Sequence, residues 1–311
     1  MNHLAETLTI GTRGSQLALW QTNWVKSKLE ACHPNLQVEV QVITTTGDRV
    51  ANVSLPKLGE QGKGLFTKEL EEAILARRVD IAVHSLKDLP TDFTSGLHIG
   101  AICEREDVRD ALVARSGVAS FHGLPAGARI GTSSLRRLAQ IRAARSDLVI
   151  EPVRGNVDTR IRKLDDGGFD AIILAAAGLH RLGRADRITE YLGPALMLPA
   201  VGQGAIAIET RENDHVTNDL VRPLNHPPTS LACVAERAFL KGLGGGCLVP
   251  IAALATLDES SLTMTGLVAS TDGAEVIKSS RNGRAEDSIA IGDALARDLI
   301  ERGADALLSR R

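Results

Sequence analysis

The segment Cys103-Glu104-Arg105-Glu106-Asp107-Val108-Arg109-Asp110-Ala111-Leu112-Val113-Ala114 decides the fold. Its left end closes an apolar strand over residues 97–103, its middle is a charged run, and Asp110–Ala114 opens another strand. A charged stretch between two apolar strands reads as a crossover between domains. Its counterpart is the hinge-like Pro199-Ala200-Val201-Gly202-Gln203-Gly204, after which residues 205–209 read as a strand able to return to the first domain. Two crossovers between two α/β series predict two lobes with a cleft between them.

Outward from these crossovers, strand-like and helix-like patterns alternate. Residues 8–12 read as a strand that turns at Arg13-Gly14-Ser15. Ser15 can cap a helix carrying Leu17, Trp20, Trp24, Val25 and Leu29 at helical spacing. Residues 37–44 alternate apolar and polar, a second strand. The loop Gly62–Gly64 precedes a helix with Phe66, Leu70, Ile74 and Leu75 on one face. Residues 80–84 form a short apolar strand, and Ser85-Leu86-Lys87-Asp88-Leu89-Pro90 lies just beyond its end. In the second lobe, Arg129–Gly131 and residues 148–153 and 169–174 read as strands. Helices follow Thr132-Ser133-Ser134 and occupy residues 157–164. From Asn225 the pattern changes to a helix with Leu231, Ala235, Ala238 and Phe239, three strands, and a helical stretch from Ala285 broken near Gly303. That is a separate α+β domain. The division is lobe 1 over residues 1–104 and 204–222, lobe 2 over 105–203, and a C-terminal domain over 223–311.

Composition removes several classes of function. The 311 residues carry a net charge of −2, so no bulk positive field draws the protein to nucleic acid or an anionic membrane. Aromatics at 3% argue against stacking platforms for single strands. The four cysteines, Cys32, Cys103, Cys233 and Cys247, show no zinc-ligand spacing, and their scarcity fits a reducing compartment. No export signal is legible at the N-terminus and no apolar stretch is long enough to span a bilayer. The expectation is a cytoplasmic protein with no metal. The absence of an exposed apolar stripe points to a monomer.

Against that near-neutral background, residues 129–163 hold nine basic side chains and three acidic ones. Position matters more than number. Arg136 and Arg137 fall in the first turn of a helix, where cations oppose the helix dipole. A bound anion reverses that cost, since Thr132, Ser133 and Ser134, the free N–H groups and the guanidinium groups all suit an oxyanion. Arg154, Arg160 and Arg13 follow strands, and strand ends are where open α/β sheets bind ligands. Arginine meets a carboxylate or phosphate in fixed bidentate geometry. Several such arginines point to a ligand with several anionic groups. The competing reading is a solvated basic face, and it suits Arg142, Arg145 and Arg162 better. Asp88, also at a strand end, is an ionised acceptor able to stabilise developing positive charge or move a proton. Lys87 beside it reads equally as a surface partner. His84 and His180 read as packed residues, and no phosphate-loop motif is present.

Cys247 ends the run Lys241-Gly242-Leu243-Gly244-Gly245-Gly246-Cys247. Glycines permit conformations closed to other residues and close approach of a bulky group. The thiol is either a covalent attachment point or a small buried residue beside a turn.

Eight stretches, in order and covering nearly the whole chain, resemble the porphobilinogen deaminase (hydroxymethylbilane synthase) family. They are Gly11-Thr-Arg13-Gly-Ser15-Gln-Leu-Ala-Leu-Trp20, Gly62-Lys-Gly-Leu-Phe66-Thr-Lys-Glu-Leu70, Val83-His-Ser-Leu-Lys87-Asp88-Leu-Pro90, Gly131-Thr-Ser-Ser134-Leu-Arg136-Arg137, Arg154-Gly-Asn-Val-Asp-Thr-Arg160, Ala177-Gly-Leu-His-Arg181-Leu-Gly183, Pro199-Ala-Val-Gly-Gln203-Gly204 and Gly245-Gly-Cys247. The resemblance implies two periplasmic-binding-protein-like (type II) α/β lobes and a small C-terminal α+β domain. It implies a dipyrromethane cofactor joined by a thioether to Cys247, and a transferase that condenses four porphobilinogen molecules, releasing ammonia, into hydroxymethylbilane. Asp88 is the implied catalytic residue, stabilising the cationic azafulvene. The implied cofactor binders are Lys87, Asp88, Thr132, Ser133, Ser134, Arg136, Arg137, Arg160 and Gln203. The implied substrate binders are Arg13, Ser15, Phe66, Arg154, Arg160 and Arg181. Each porphobilinogen carries two carboxylates, which accounts for an arginine cluster in a protein without net positive charge. A non-catalytic anion-binding protein of the same two-lobed fold, or a phosphate-ligand enzyme, is the competing expectation.

Overall fold

The computed structural model describes residues 6–49, 67–245 and 249–309. The chain forms two compact units, Met1–Glu106 with Ala205–Ser230, and Asp107–Gly204 with Leu231–Arg311.

In the first unit, β1 (Glu6–Thr12), β2 (Leu36–Val42), β3 (Ile81–Ser85), β4 (Leu97–Ile102) and β10 (Ile206–Arg211) form one sheet in the order β2-β1-β3-β10-β4. β1 is parallel to β2 and β3, and β10 runs antiparallel between β3 and β4. The helices are α1 (Gln16–Cys32), α2 (Thr46–Arg49), α3 (Lys68–Leu75) and α7 (His215–Val221). Along β3, Ile81 and Val83 join the cluster that holds Val25 and Leu29 of α1, while Ala82 joins Leu70 and Ile74 of α3. A strand buried on both faces reads as an unbroken apolar run, which is why β3 was legible.

In the second unit, β5 (Asp110–Ala114), β6 (Arg129–Gly131), β7 (Val149–Glu151), β8 (Ala171–Ala175) and β9 (Glu190–Leu192) form a sheet in the order β7-β6-β8-β5-β9. Here β5 is the antiparallel strand, between β8 and β9. Each sheet therefore has its first three own strands in the order second, first, third. Each then takes in, antiparallel, the strand that follows a crossover. The helices are α4 (Leu135–Ala144), α5 (Val157–Asp165) and α6 (Ala176–Arg181).

The same unit contains the antiparallel sheet β11 (Ile251–Asp258), β12 (Ser261–Ala269) and β13 (Val276–Arg284). Helices α8 (Pro227–Gly242), α9 (Ser288–Glu301) and α10 (Ala304–Ser309) accompany it, around a core that includes Phe239, Met264, Leu295 and Leu299. The α/β class is thus the expected one: two five-stranded mixed sheets with their helices, and a three-stranded antiparallel sheet with helices of its own. Among the described residues no helix is long and apolar enough to cross a membrane.

Several local expectations need correction. The buried face of α1 contains Gln21 and Thr22 with Val25 and Leu29, whereas Trp20 is 36% exposed. The polar pair tolerates burial because it is partnered: Thr22 Oγ1 donates to Thr12 Oγ1 at 2.7 Å, and Gln21 Nε2 to Ser85 Oγ at 2.9 Å. Leu75 ends α3 largely exposed. β13 continues to Arg284 because nine consecutive rungs pair it with β12, and an edge strand does not need an apolar pattern. β9 and α6 were not foreseen; the Ala-Ala-Gly sequence of α6 has no period to read. The Gly62–Gly64 loop and Phe66 lie outside the described residues.

Candidate functional site

In the first unit the chain leaves β1 at Thr12, and Ser15 caps α1, its Oγ accepting from the Ala18 N–H at 3.3 Å. β3 ends at Ser85 and runs into a 3-10 turn, Leu86–Asp88, pinned by Leu86 N–H to Ala205 O at 3.0 Å. These two strand ends build one pocket, whose polar lining is Arg13, Ser15, Gln21, Thr67, His84, Ser85 and Asp88. A guanidinium and an exposed carboxylate thus line a single cavity, which suits a ligand with an anionic end and an N–H end. Lys87, half-buried, is in the same turn. His84 is buried and its Nε2 lies 3.0 Å from Oε2 of the buried Glu209. A carboxylate only accepts, so the ring hydrogen is assigned to Nε2.

In the second unit, Ser134 caps α4, its Oγ facing the Arg137 N–H at 3.5 Å. Thr132 Oγ1 accepts from the Ser134 N–H at 3.2 Å, and Ser133 Oγ donates to Val153 O at 2.8 Å. All three hydroxyl residues therefore shape the helix start. Arg136 and Arg137 are buried, and they meet a residue the sequence reading did not single out, Asp110. Asp110 Oδ2 accepts from Arg136 Nη1 at 2.7 Å. Its Oδ1 accepts from Arg137 Nη2 at 2.7 Å and Nε at 3.1 Å. Gln203 Nε2 donates to the same Oδ1 at 3.0 Å and to Val108 O at 2.8 Å. Burial alone would push the Asp110 carboxyl up; the charges of Arg136 and Arg137, and their hydrogen bonds, override it and hold the group well below the usual carboxylate range. Burial also lowers Arg136, which Asp110 opposes and Arg137 reinforces.

Arg160, Arg181, Arg145 and Arg142 have side-chain anchors. Arg160 Nε donates to Gly155 O at 2.7 Å, and Gly155 sits at φ +108°, open to glycine and strained for other residues. Arg154, half-buried, offers its carbonyl to Lys163 Nζ at 3.2 Å. Arg181 is buried, with Nη2 donating to Gly204 O at 2.6 Å. Arg145 pairs with Asp147 at 2.6 Å, and Arg142 Nη1 donates to Thr271 O at 2.9 Å, so the latter ties α4 to the C-terminal domain.

Gly246, Cys247 and Leu248 lie outside the described residues, whereas Gly244 and Gly245 do not. Gly244 has φ +61°, and a Cβ on Gly245 would come within 2.4 Å of Ile251 Cδ1. These two glycines are set by a turn and a close contact with the β11 start.

A family model described as porphobilinogen deaminase, dipyromethane cofactor binding domain, matches residues 8–219, and one for the porphobilinogen deaminase C-terminal domain matches residues 230–301. The chain belongs to the porphobilinogen deaminase family. Similar full-length relatives include the porphobilinogen deaminases of Geobacter metallireducens, 53% identical over 97% of this chain and 94% of that protein, and of Syntrophobacter fumaroxidans, 52% identical over 97% and 96%. That of Gloeobacter violaceus is 50% identical over 99% of this chain and 94% of its own. Among solved structures, a probable amino-acid ABC transporter extracellular-binding protein from Bacillus subtilis aligns over 71% of this chain and 90% of its own, at 12% identity and a TM-score of 0.41. Asp88 in the first unit and the Asp110–Arg136–Arg137 cluster in the second each fall within residues 8–219, the stretch that the cofactor-binding-domain model matches.

Proposed function

We propose that this chain is a hydroxymethylbilane synthase: it condenses four porphobilinogen molecules head to tail, releasing ammonia at each addition. The observation that carries the reading is the 50–53% identity, over nearly the full length, to proteins named porphobilinogen deaminase. When bound through a thioether at Cys247, a dipyrromethane supplies the primer on which the product chain grows. The donor set fits such a polycarboxylate. Arg136 is clamped on Nη1 by Asp110 and Leu198 O, both at 2.7 Å, and lies in the first turn of a ten-residue helix headed by three hydroxyl residues.

The chain's own residues divide the work by unit. In the first, Arg13 and Ser15 hold a substrate carboxylate, and Asp88 accepts from the pyrrole N–H and stabilises the positive charge that develops on the ring as ammonia departs. Lys87 binds cofactor carboxylate beside it. In the second, Thr132, Ser133, Ser134, Arg136, Arg137 and Gln203 orient the cofactor, and Arg154, Arg160 and Arg181 hold substrate carboxylates. The enzyme works as a cytoplasmic monomer, with lobes over 1–104 with 204–222 and 105–203, and a cysteine-bearing domain over 223–311.

The test is the intact mass of protein purified from a host that makes porphobilinogen. It should exceed the sequence mass by one dipyrrole unit, and the excess should vanish in Cys247→Ser. Unmodified wild-type protein sinks the cofactor assignment. Asp88→Asn should still bind porphobilinogen but lose turnover by about 10²–10⁴-fold; turnover near wild type removes Asp88 from the chemistry.

A further inference from the structure

Thr67 is 2% exposed, and its Oγ1 has no hydrogen-bond partner among the described residues. A buried polar atom without a partner costs stability, and a native protein keeps one only for a reason. Thr67 stands at the N-cap of α3, where a threonine oxygen ordinarily accepts from the helix's first N–H groups. It makes no such bond, although its carbonyl still accepts from the Glu71 N–H at 2.9 Å. It lines the same pocket as Arg13 and Asp88. The two acids of the first turn are engaged elsewhere, Glu69 by the Thr46 hydroxyl and N–H and Glu71 by the Thr94 hydroxyl.

We propose that Thr67 is a substrate-binding residue, whose hydroxyl donates to a carboxylate oxygen of the pyrrole held in the Arg13–Asp88 pocket. This rests on the porphobilinogen reading and adds the residue that completes one carboxylate's hydrogen bonds. The assignment to the carboxylate follows from charge. A hydroxyl at a helix N-terminus sits in a positive field, and Arg13 supplies the cation lining the pocket. Asp88 already serves as the acceptor for N–H groups. Substrate therefore satisfies a donor that has no partner among the described residues.

The experiment compares full-length, cofactor-loaded wild type with Thr67→Val and Thr67→Ser. Valine replaces the hydroxyl with a methyl of nearly equal size. A structural hydroxyl and a ligand-binding one then move in opposite directions. Thr67→Val should melt no lower than wild type, while KM for porphobilinogen rises about tenfold or more and kcat stays within about threefold. Thr67→Ser should restore KM. Inhibition by a pyrrole that keeps both carboxylates but lacks the aminomethyl group should weaken by the same factor. A Thr67→Val protein that melts lower or misfolds, with KM unchanged where measurable, makes the hydroxyl structural and overturns the inference. A KM rise without any loss of inhibition places the hydroxyl on the amine and overturns the carboxylate assignment. Wild type that does not turn over porphobilinogen defeats the functional reading itself; turnover that Thr67→Val leaves untouched defeats this inference alone.

Discussion

Asp110→Asn isolates the electrostatics of the second unit. The carboxylate is fully buried and receives one hydrogen bond from Arg136, two from Arg137 and one from Gln203. The amide has nearly the same shape but no charge, so two buried guanidiniums lose their counter-ion. Removing one partner of a buried ion pair costs about 3–5 kcal/mol, because the other charge is left uncompensated. At about 2–4 °C per kcal/mol for a domain of this size, the melting transition should fall by roughly 6–20 °C. Calorimetry or circular dichroism at pH 7 reads it. The control is Glu151→Gln: its pair with Arg129, at 2.9 Å, is substantially exposed on both sides, so its loss should leave the melting transition nearly where it is in wild type. The pH dependence carries a sign. The folded carboxyl of Asp110 lies below its unfolded value of about 3.9. Its stabilisation is therefore complete above pH ~4 and is lost as pH falls through the folded value. Asp110→Asn should flatten that acid limb. A variant that melts within about 2 °C of wild type, with the acid limb intact, would show that the buried pair contributes nothing net and refute the reasoning.

Two further changes probe the supports of the site. Glu236 is fully buried and accepts from the Gly202 N–H at 2.7 Å and the Ala255 N–H at 2.9 Å. Glu236→Gln turns one acceptor into a donor facing an N–H, and denaturant titration should show a loss of about 1–3 kcal/mol. In Gly155→Ala the new Cβ would stand 2.6 Å from Thr159 Cγ2 at φ +108°. Strain of about 1–3 kcal/mol should appear in the melting curve, with a raised KM because Gly155 O anchors Arg160.

Much of the site was legible as residue types at element ends. Arg13 and Ser15 after β1, Lys87 and Asp88 after β3, and Arg136 and Arg137 after Thr132–Ser134 all stand where the alternation of patterns put them. What the arginines touch was not legible. By sequence Arg136 and Arg137 are cations awaiting an anion at a helix start, whereas their first counter-charge is internal. Asp110 lies 26 and 27 positions earlier in the chain and Gln203 more than sixty later. One signal was available in the sequence: Asp110 heads the apolar run Ala-Leu-Val-Ala as part of a strand, and buried acids are paired. Thr67 gave none, because a hydroxyl looks the same whether it caps a helix or is left unbonded.

By itself the sequence determined the period of each element, the two crossovers and the chemistry of the ends. These are local properties: apolar alternation, capping residues and charge all act over a few positions. Only the tertiary structure decided which side chains meet. The antiparallel placement of β5 beside β8 carries Asp110 to the start of α4, and the turn that ends at Gly204 brings Gln203 to the same carboxylate. Whether a guanidinium is a solvated charge or half of a buried pair depends on that pairing, since solvation and ion pairing are set by neighbours in space.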